Sequence, residues 1–184
     1  TLAVRYDSGS TNRVLFVNAY DRLDAGITVE QGGVKRHYLQ EMNSSDYVIE
    51  HGESIAAAGE YFDSASDEAV ADGDITLSNY DAVIWGAGQQ AAVSGTNRPA
   101  GHQSYVSGAR TAIQNYLDGG GALLSTGSEI AWDLDRDSDQ SDPESQFLNN
   151  YLKADYVDDN VYTNDSPSNT ASGTAGSIFD GMSI

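Results

Sequence analysis

Three stretches of the chain are apolar without a break and end in small or polar residues: 13-RVLFVNAYDR-22, 80-YDAVIWGAGQQ-90 and 120-GGALLSTGSEIAW-132. A continuous apolar run, rather than an alternating one, is the pattern of a strand covered on both faces of a parallel sheet. Between these runs the period lengthens to that of helices. From Ser45, a fair N-cap, Val48, His51, Ile55 and Ala58 recur at helical spacing through residues 46–59, and Gly59 supplies the stop. A second helix is predicted from about Gln103 to Asp118, with Val106, Ala109, Ile113, Tyr116 and Leu117 on one face and Gly119 at its end. The third spans 143–154: Asp142 caps it, Pro143 takes its first position, and Phe147, Leu148, Tyr151 and Leu152 form its stripe.

Strands alternating with helices predict a three-layer α/β sandwich around a mainly parallel sheet. In such a sheet ligands bind beyond the carboxyl ends of the strands, so the polar endings of the apolar runs are where function is expected. The segment from about Asn164 to Gly176 is polar and turn-rich, and 178-IFDGMSI-184 is an apolar restart. Residues 1–12 read as an N-terminal extension or edge strand. Residues 13–184 read as one domain expected to continue for another strand or two, or to pair its last residues elsewhere.

Composition narrows the partners. With 9 basic and 28 acidic residues in 184, the net charge of -19 repels nucleic acid and anionic membrane surfaces. The absence of cysteine excludes disulfides, thiolate metal sites and a cysteine nucleophile. No apolar run reaches the roughly 18–20 residues of a membrane span. A surplus of Asp, Asn, Ser, Thr, Gly and Tyr over Lys suits an exported protein, hence a secreted or cell-surface location.

Two segments in order, 80-YDAVIWGAGQQ-90 and 119-GGGALLSTGSEIAWDLD-135, resemble the class I glutamine amidotransferase-like, flavodoxin-like fold, in which a glycine-ended strand precedes a helix and a strand bearing the nucleophile turn. More narrowly, 14-VLFVNAYDRLD-24, 46-DYVIEHGESIAAAG-59, 63-DSASDEAV-70 and 129-EIAWDLD-135 are similar to a secreted bacterial group found beside fibronectin type III and golvesin or xanthan-lyase-type modules, often labelled N-acetylmuramoyl-L-alanine amidases. The resemblance implies a cell-wall or carbohydrate partner and neighbouring modules. It departs from the amidotransferases where it matters for chemistry: the turn reads Ser125, Thr126, Gly127, Ser128, Glu129, and no histidine follows His102. The cysteine–histidine dyad of glutaminases is absent.

Four constellations remain. Ser128, at the strand-to-helix turn beside Glu129, is either a nucleophile or a turn serine. His51, near Asp46 and Glu53, is either a general base with a raised pKa or a structural histidine. The strand ends gather Asn18, Tyr20, Asp21 and Arg22, then Trp85, Gly86, Gly88, Gln89 and Gln90, then Glu129 and Trp132, a set suited to stacking on and hydrogen-bonding a glycan unless the tryptophans are core. Finally, Asp133, Asp135, Asp137 and Asp139, followed by Ser141 and Glu144, approximate the spacing of a calcium loop, with Ser138 where the turn glycine should be. Asp142 and Glu144 serve equally as the acidic start of the next helix. The expected function is a secreted amidotransferase-like domain binding a carbohydrate or cell-wall component. The alternatives are an amidase or esterase using Ser128 or His51, and a self-assembling subunit of a surface layer or extracellular filament through 1-TLAVRY-6 or 178-IFDGMSI-184.

Overall fold

The computed structural model describes residues 12–22, 29–36, 43, 46–92, 103–137, 139–157, 172–177 and 179–183. The expectations placed on residues 1–6 and on Ser45, His102 and Ser138 lie outside these residues.

The elements run β1 (Arg13–Asn18), β2 (Val29–Gln31), β3 (Val34–Arg36), α1 (Tyr47–Ala57), β4 (Tyr61–Ser66), α2 (Asp67–Ala71), β5 (Ala82–Gly88), α3 (Ser107–Asp118), β6 (Ala122–Gly127), α4 (Ile130–Asp135) and α5 (Pro143–Phe147). A π-helical turn, Leu148–Leu152, continues α5 and ends at Lys153, which has a φ of 56°. Strands β4, β1, β5 and β6 form one all-parallel sheet in that order, and β2 and β3 form a separate antiparallel hairpin. Numbered along the chain, the parallel strands stand 2-1-3-4, the order of the first four strands of a flavodoxin-like sheet. The fold is therefore α/β, as the alternation of patterns predicts.

Side-chain alternation along the strands divides the core. Leu15 and Val17 of β1 join Val83 and Trp85 of β5 beneath Ala109 and Ile113 of α3, all of them buried. Phe16 points to the other face, where it stacks on His51 of α1 at 4.7 Å. Gly52 in the same helix lies so close to the Phe62 ring of β4 that a methyl group there has no room. Helices thus cover both faces of the sheet, α1 on one side and α2 to α5 on the other.

The hairpin strands β2 and β3 and the short helix α2 have no counterpart in the sequence reading, and two further elements differ from it. The third apolar run is a strand only to Gly127, and its continuation is α4, because Ile130, Asp133 and Leu134 fall at helical spacing and are buried together. The strand β4 carries no apolar run, YFDSAS being half-buried almost throughout as befits an edge, yet it pairs residue for residue with β1 from Arg13↔Tyr61 to Asn18↔Ser66. The described part of the apolar restart folds back on itself: Ser172 bridges Ser183, and Gly173 N–H donates to Met182 O at 2.9 Å.

Candidate strand-end site

The chain leaves β1 for β4 on one side and returns to β5 on the other, so the topological switch point lies between β1 and β5, at their carboxyl ends. Here the backbone is shaped by glycine. The pairing of β5 with β6 slips between Gly86 and Gly88, and Gly88 adopts a φ of 52° with the Tyr20 ring packed over its Cα, a place where a side chain would meet both strain and a clash.

The loops after β1 and β5 are stitched to each other. Gln90, fully buried, accepts a hydrogen bond from Arg22 N–H at 2.9 Å and donates its amide to Asp21 Oδ1. Arg22 reaches Gln89 O at 3.0 Å, and the buried Asn43 amide donates to Tyr20 O at 3.1 Å and Arg22 O at 3.2 Å. The expected rim residues Tyr20 and Arg22 are consequently buried, and only Asp21 and Gln89 of that set are exposed. Trp85 lies wholly in the core, stacked on Tyr105 at 4.8 Å with its indole N–H on Ser104 O at 3.2 Å, so neither face is open to a sugar. Trp132 is half-buried, and the Arg136 guanidinium sits 4.7 Å above its ring.

Sequence reasoning assigned no role to Asp67 and Glu68, which the structure brings beside Asp21 just past the carboxyl ends of β1 and β4. Ser66 caps α2, its hydroxyl accepting from Ala69 N–H at 3.4 Å, and also hydrogen-bonds Glu68. Asp67 and Asp21 stand beside Glu68, close enough to act on its ionisation. Next to them Asn18 stands in register with Ser66. Two oxygens in this group, Asn18 Oδ1 and Asp67 Oδ1, are buried and have no hydrogen-bond partner among the described residues. The available signal was a capping serine followed by two acids after a short polar segment, 61-YFDSASDE-68.

Asp67, only 3% exposed, is pushed up to about 7, first by burial and then by the charges of Glu68 and Asp21. In the folded chain it holds its proton where the unfolded chain has lost it. The stability this contributes is whole below the ordinary value of 3.8 and is lost as pH rises to about 7. Glu68 has the opposite sign. Its pKa is lowered, chiefly by the Ser66 hydroxyl, so its contribution is present above its ordinary 4.5 and is lost in more acid solution. An Asp67→Asn variant is expected to flatten the fall in stability between about pH 4 and pH 7 and to raise Tm near pH 8 by about 2–4 °C. Thermal unfolding across that range checks it, and parallel curves for the two proteins would contradict it.

The remaining candidates are dispersed. Ser128 is exposed at the end of β6, with its N–H on Gly88 O at 2.8 Å and its hydroxyl within 3.4 Å of Gly88 O and 3.3 Å of Glu129 Oε1. Among the described residues no imidazole contacts it. His51 is engaged with Phe16, and burial lowers its pKa, the reverse of the raised value its carboxylate neighbours suggested.

The acidic run is a clasp. Asp133 Oδ1 accepts from Ala92 N–H at 2.6 Å, and its Oδ2 accepts from Ser104 N–H at 2.7 Å and Ser104 Oγ at 2.9 Å. Asp135 takes the Ser145 hydroxyl and both hydrogen bonds of the Gln140 amide. Asp142 caps α5 through Glu144 N–H at 2.9 Å and Ser145 N–H at 3.0 Å, and Glu144 pairs with Arg110. Asp137 accepts from Asp139 N–H, and Asp139 from both the amide and the hydroxyl of Ser141. Asp133 and Asp135 belong to α4 and are buried, so the calcium-loop spacing does not correspond to a loop of consecutive ligands. No group of three or more His, Asp or Glu side chains among the described residues is arranged to hold a metal ion. Nor is any described helix long and apolar enough to cross a membrane.

Fold and site together define an α/β protein with flavodoxin-like strand order and an acidic group at its switch point. No protein-family model matches the chain, and neither does any curated protein or solved structure.

Proposed function

We propose that this is a secreted or cell-surface amidotransferase-like domain, without the cysteine nucleophile, that binds a carbohydrate or other hydroxyl-rich cell-wall component where β1, β4 and β5 end. The observation that carries the reading is a pair of buried side-chain oxygens, Asn18 Oδ1 and Asp67 Oδ1, without hydrogen-bond partners among the described residues. A buried polar atom left unpaired costs about 1–3 kcal/mol, which a ligand bringing hydroxyl donors would recover. The charge of Asp21 and Glu68 disfavours anionic ligands at the same place. The stitched loops supply a floor that is already in position.

The test is a titration of neutral muropeptides and oligosaccharides followed by amide chemical shifts. Perturbations are expected around Asn18 and Asp67, and Asn18→Ala is expected to weaken binding about tenfold. No perturbation with any of these ligands, or undiminished binding by the variant, would sink the reading. A second reading, ester or amide hydrolysis with Ser128 as nucleophile and Glu129 as its base, has the 3.3 Å contact between them in its favour. Turnover of the same muropeptides separates binding from hydrolysis.

A further inference from the structure

Away from the strand ends, α3 and the α5 segment enclose an open groove of about 520 Å³ lined by Gln114, Asp118, Pro143, Gln146, Asn150 and Tyr151. Its volume is within the usual range of small-ligand sites, about 300–1,000 Å³. We propose that this groove is a second binding site for a neutral glycan, with Tyr151 as its stacking platform.

The tyrosine is held at two points. Its hydroxyl donates to Asp118 Oδ2 at 3.2 Å, and its ring stacks against Phe147 with centroids 6.1 Å apart and planes at 22°. Phe147 is itself fully buried, so the ring rests on the core rather than on another mobile side chain. An aromatic ring fixed in this way offers its other face to the apolar side of a sugar with little further loss of freedom.

The polar lining has matching chemistry. Gln114 and Asp118 lie one turn apart on α3, and Gln146 and Asn150 are four residues apart on the opposite wall. The carboxamides of Gln114 and Asn150 have no hydrogen-bond partner among the described residues, and Gln146 spends only its amide N–H, on Ser141 O at 3.3 Å. Carboxamides both donate and accept, as sugar hydroxyls do. The lining contains a carboxylate and no Lys or Arg, which selects against anionic ligands.

This site stands or falls apart from the crevice, because the two share no residue. The experiment titrates the full chain with cello-, xylo- and chito-hexaose, and with polygalacturonate as the anionic comparison. It follows the Tyr151 ring and the side-chain amides of Gln114, Gln146 and Asn150 by NMR. Neutral hexaoses are expected to shift these resonances and polygalacturonate is not. Tyr151→Ala is expected to weaken binding at least about tenfold, and the surface double variant Gln114→Ala/Asn150→Ala about as much. The double variant touches no core contact, so it keeps the test clear of folding. Asn18→Ala should leave the groove's shifts unchanged. Unmoved groove resonances with every neutral hexaose, full binding by the double variant, or loss of the groove's shifts in Asn18→Ala would each overturn the proposal.

Discussion

Asp133→Ala is expected to cost about 3–5 kcal/mol of stability and to lower Tm by roughly 10 °C. The carboxylate is 8% exposed, and its two oxygens receive the backbone amides of Ala92 and Ser104 as well as the Ser104 hydroxyl. Alanine leaves two buried N–H donors without acceptors, which is worse than losing the bonds alone. Asp133→Asn preserves one acceptor but turns an NH2 group toward an N–H donor, so a smaller loss is expected. Urea unfolding measures both. Hydrogen exchange at Ala92 and Ser104 should accelerate beyond the global change, and an Asp133→Ala protein as stable as the parent would refute the clasp.

Trp85→Ala is expected to be comparably damaging, about 3–5 kcal/mol, because it empties the centre of the core beside Tyr105. Trp85→Phe keeps a ring against Tyr105 and loses the indole hydrogen bond to Ser104 O, at an expected cost of about 1–2 kcal/mol. Neither change should alter the surface at the strand ends, since the indole is wholly buried. The two sites meet at one residue: Asp133 fixes the amide and hydroxyl of Ser104, and Trp85 fixes its carbonyl. A double-mutant cycle of Trp85→Phe with Asp133→Asn should therefore show coupling of about 0.5 kcal/mol or more. Strict additivity would mean that Ser104 is not the shared anchor.

How far the chain could be read from its residues depended on which period carried the information. Continuous apolar runs placed β1 and β5, and their alternation with helical patterns predicted the parallel sheet. The same runs contained the answer for Trp85, because Val83, Trp85 and Ala87 alternate onto one face and all are buried, Val83 and Trp85 in register with the inward Leu15 and Val17 of β1. Counting Trp85 among rim residues used its position along the strand and neglected the face. For β4 there is no unbroken apolar run to count, so the position of Asp67 and Glu68 beside β1 becomes legible only when the strand is seen paired to it. The acidic run carries two periods at once. Alternate carboxylates read as ligands converging on an ion, whereas helical spacing turns Asp133 inward to backbone amides and commits Asp135 to Ser145. Spacing of two and spacing of three or four were both present in 131-AWDLDRDSDQSDPESQF-147, and burial of Ile130 and Leu134 decided between them.

The clasp at Asp133 also sets which parts of the chain depend on one another. One carboxylate of α4 grips the backbone at Ala92, 41 residues earlier, and again at Ser104, 29 residues earlier. The exit of β5 and the approach to α3 therefore share a single short side chain as their anchor, and they lose it together when that side chain is removed.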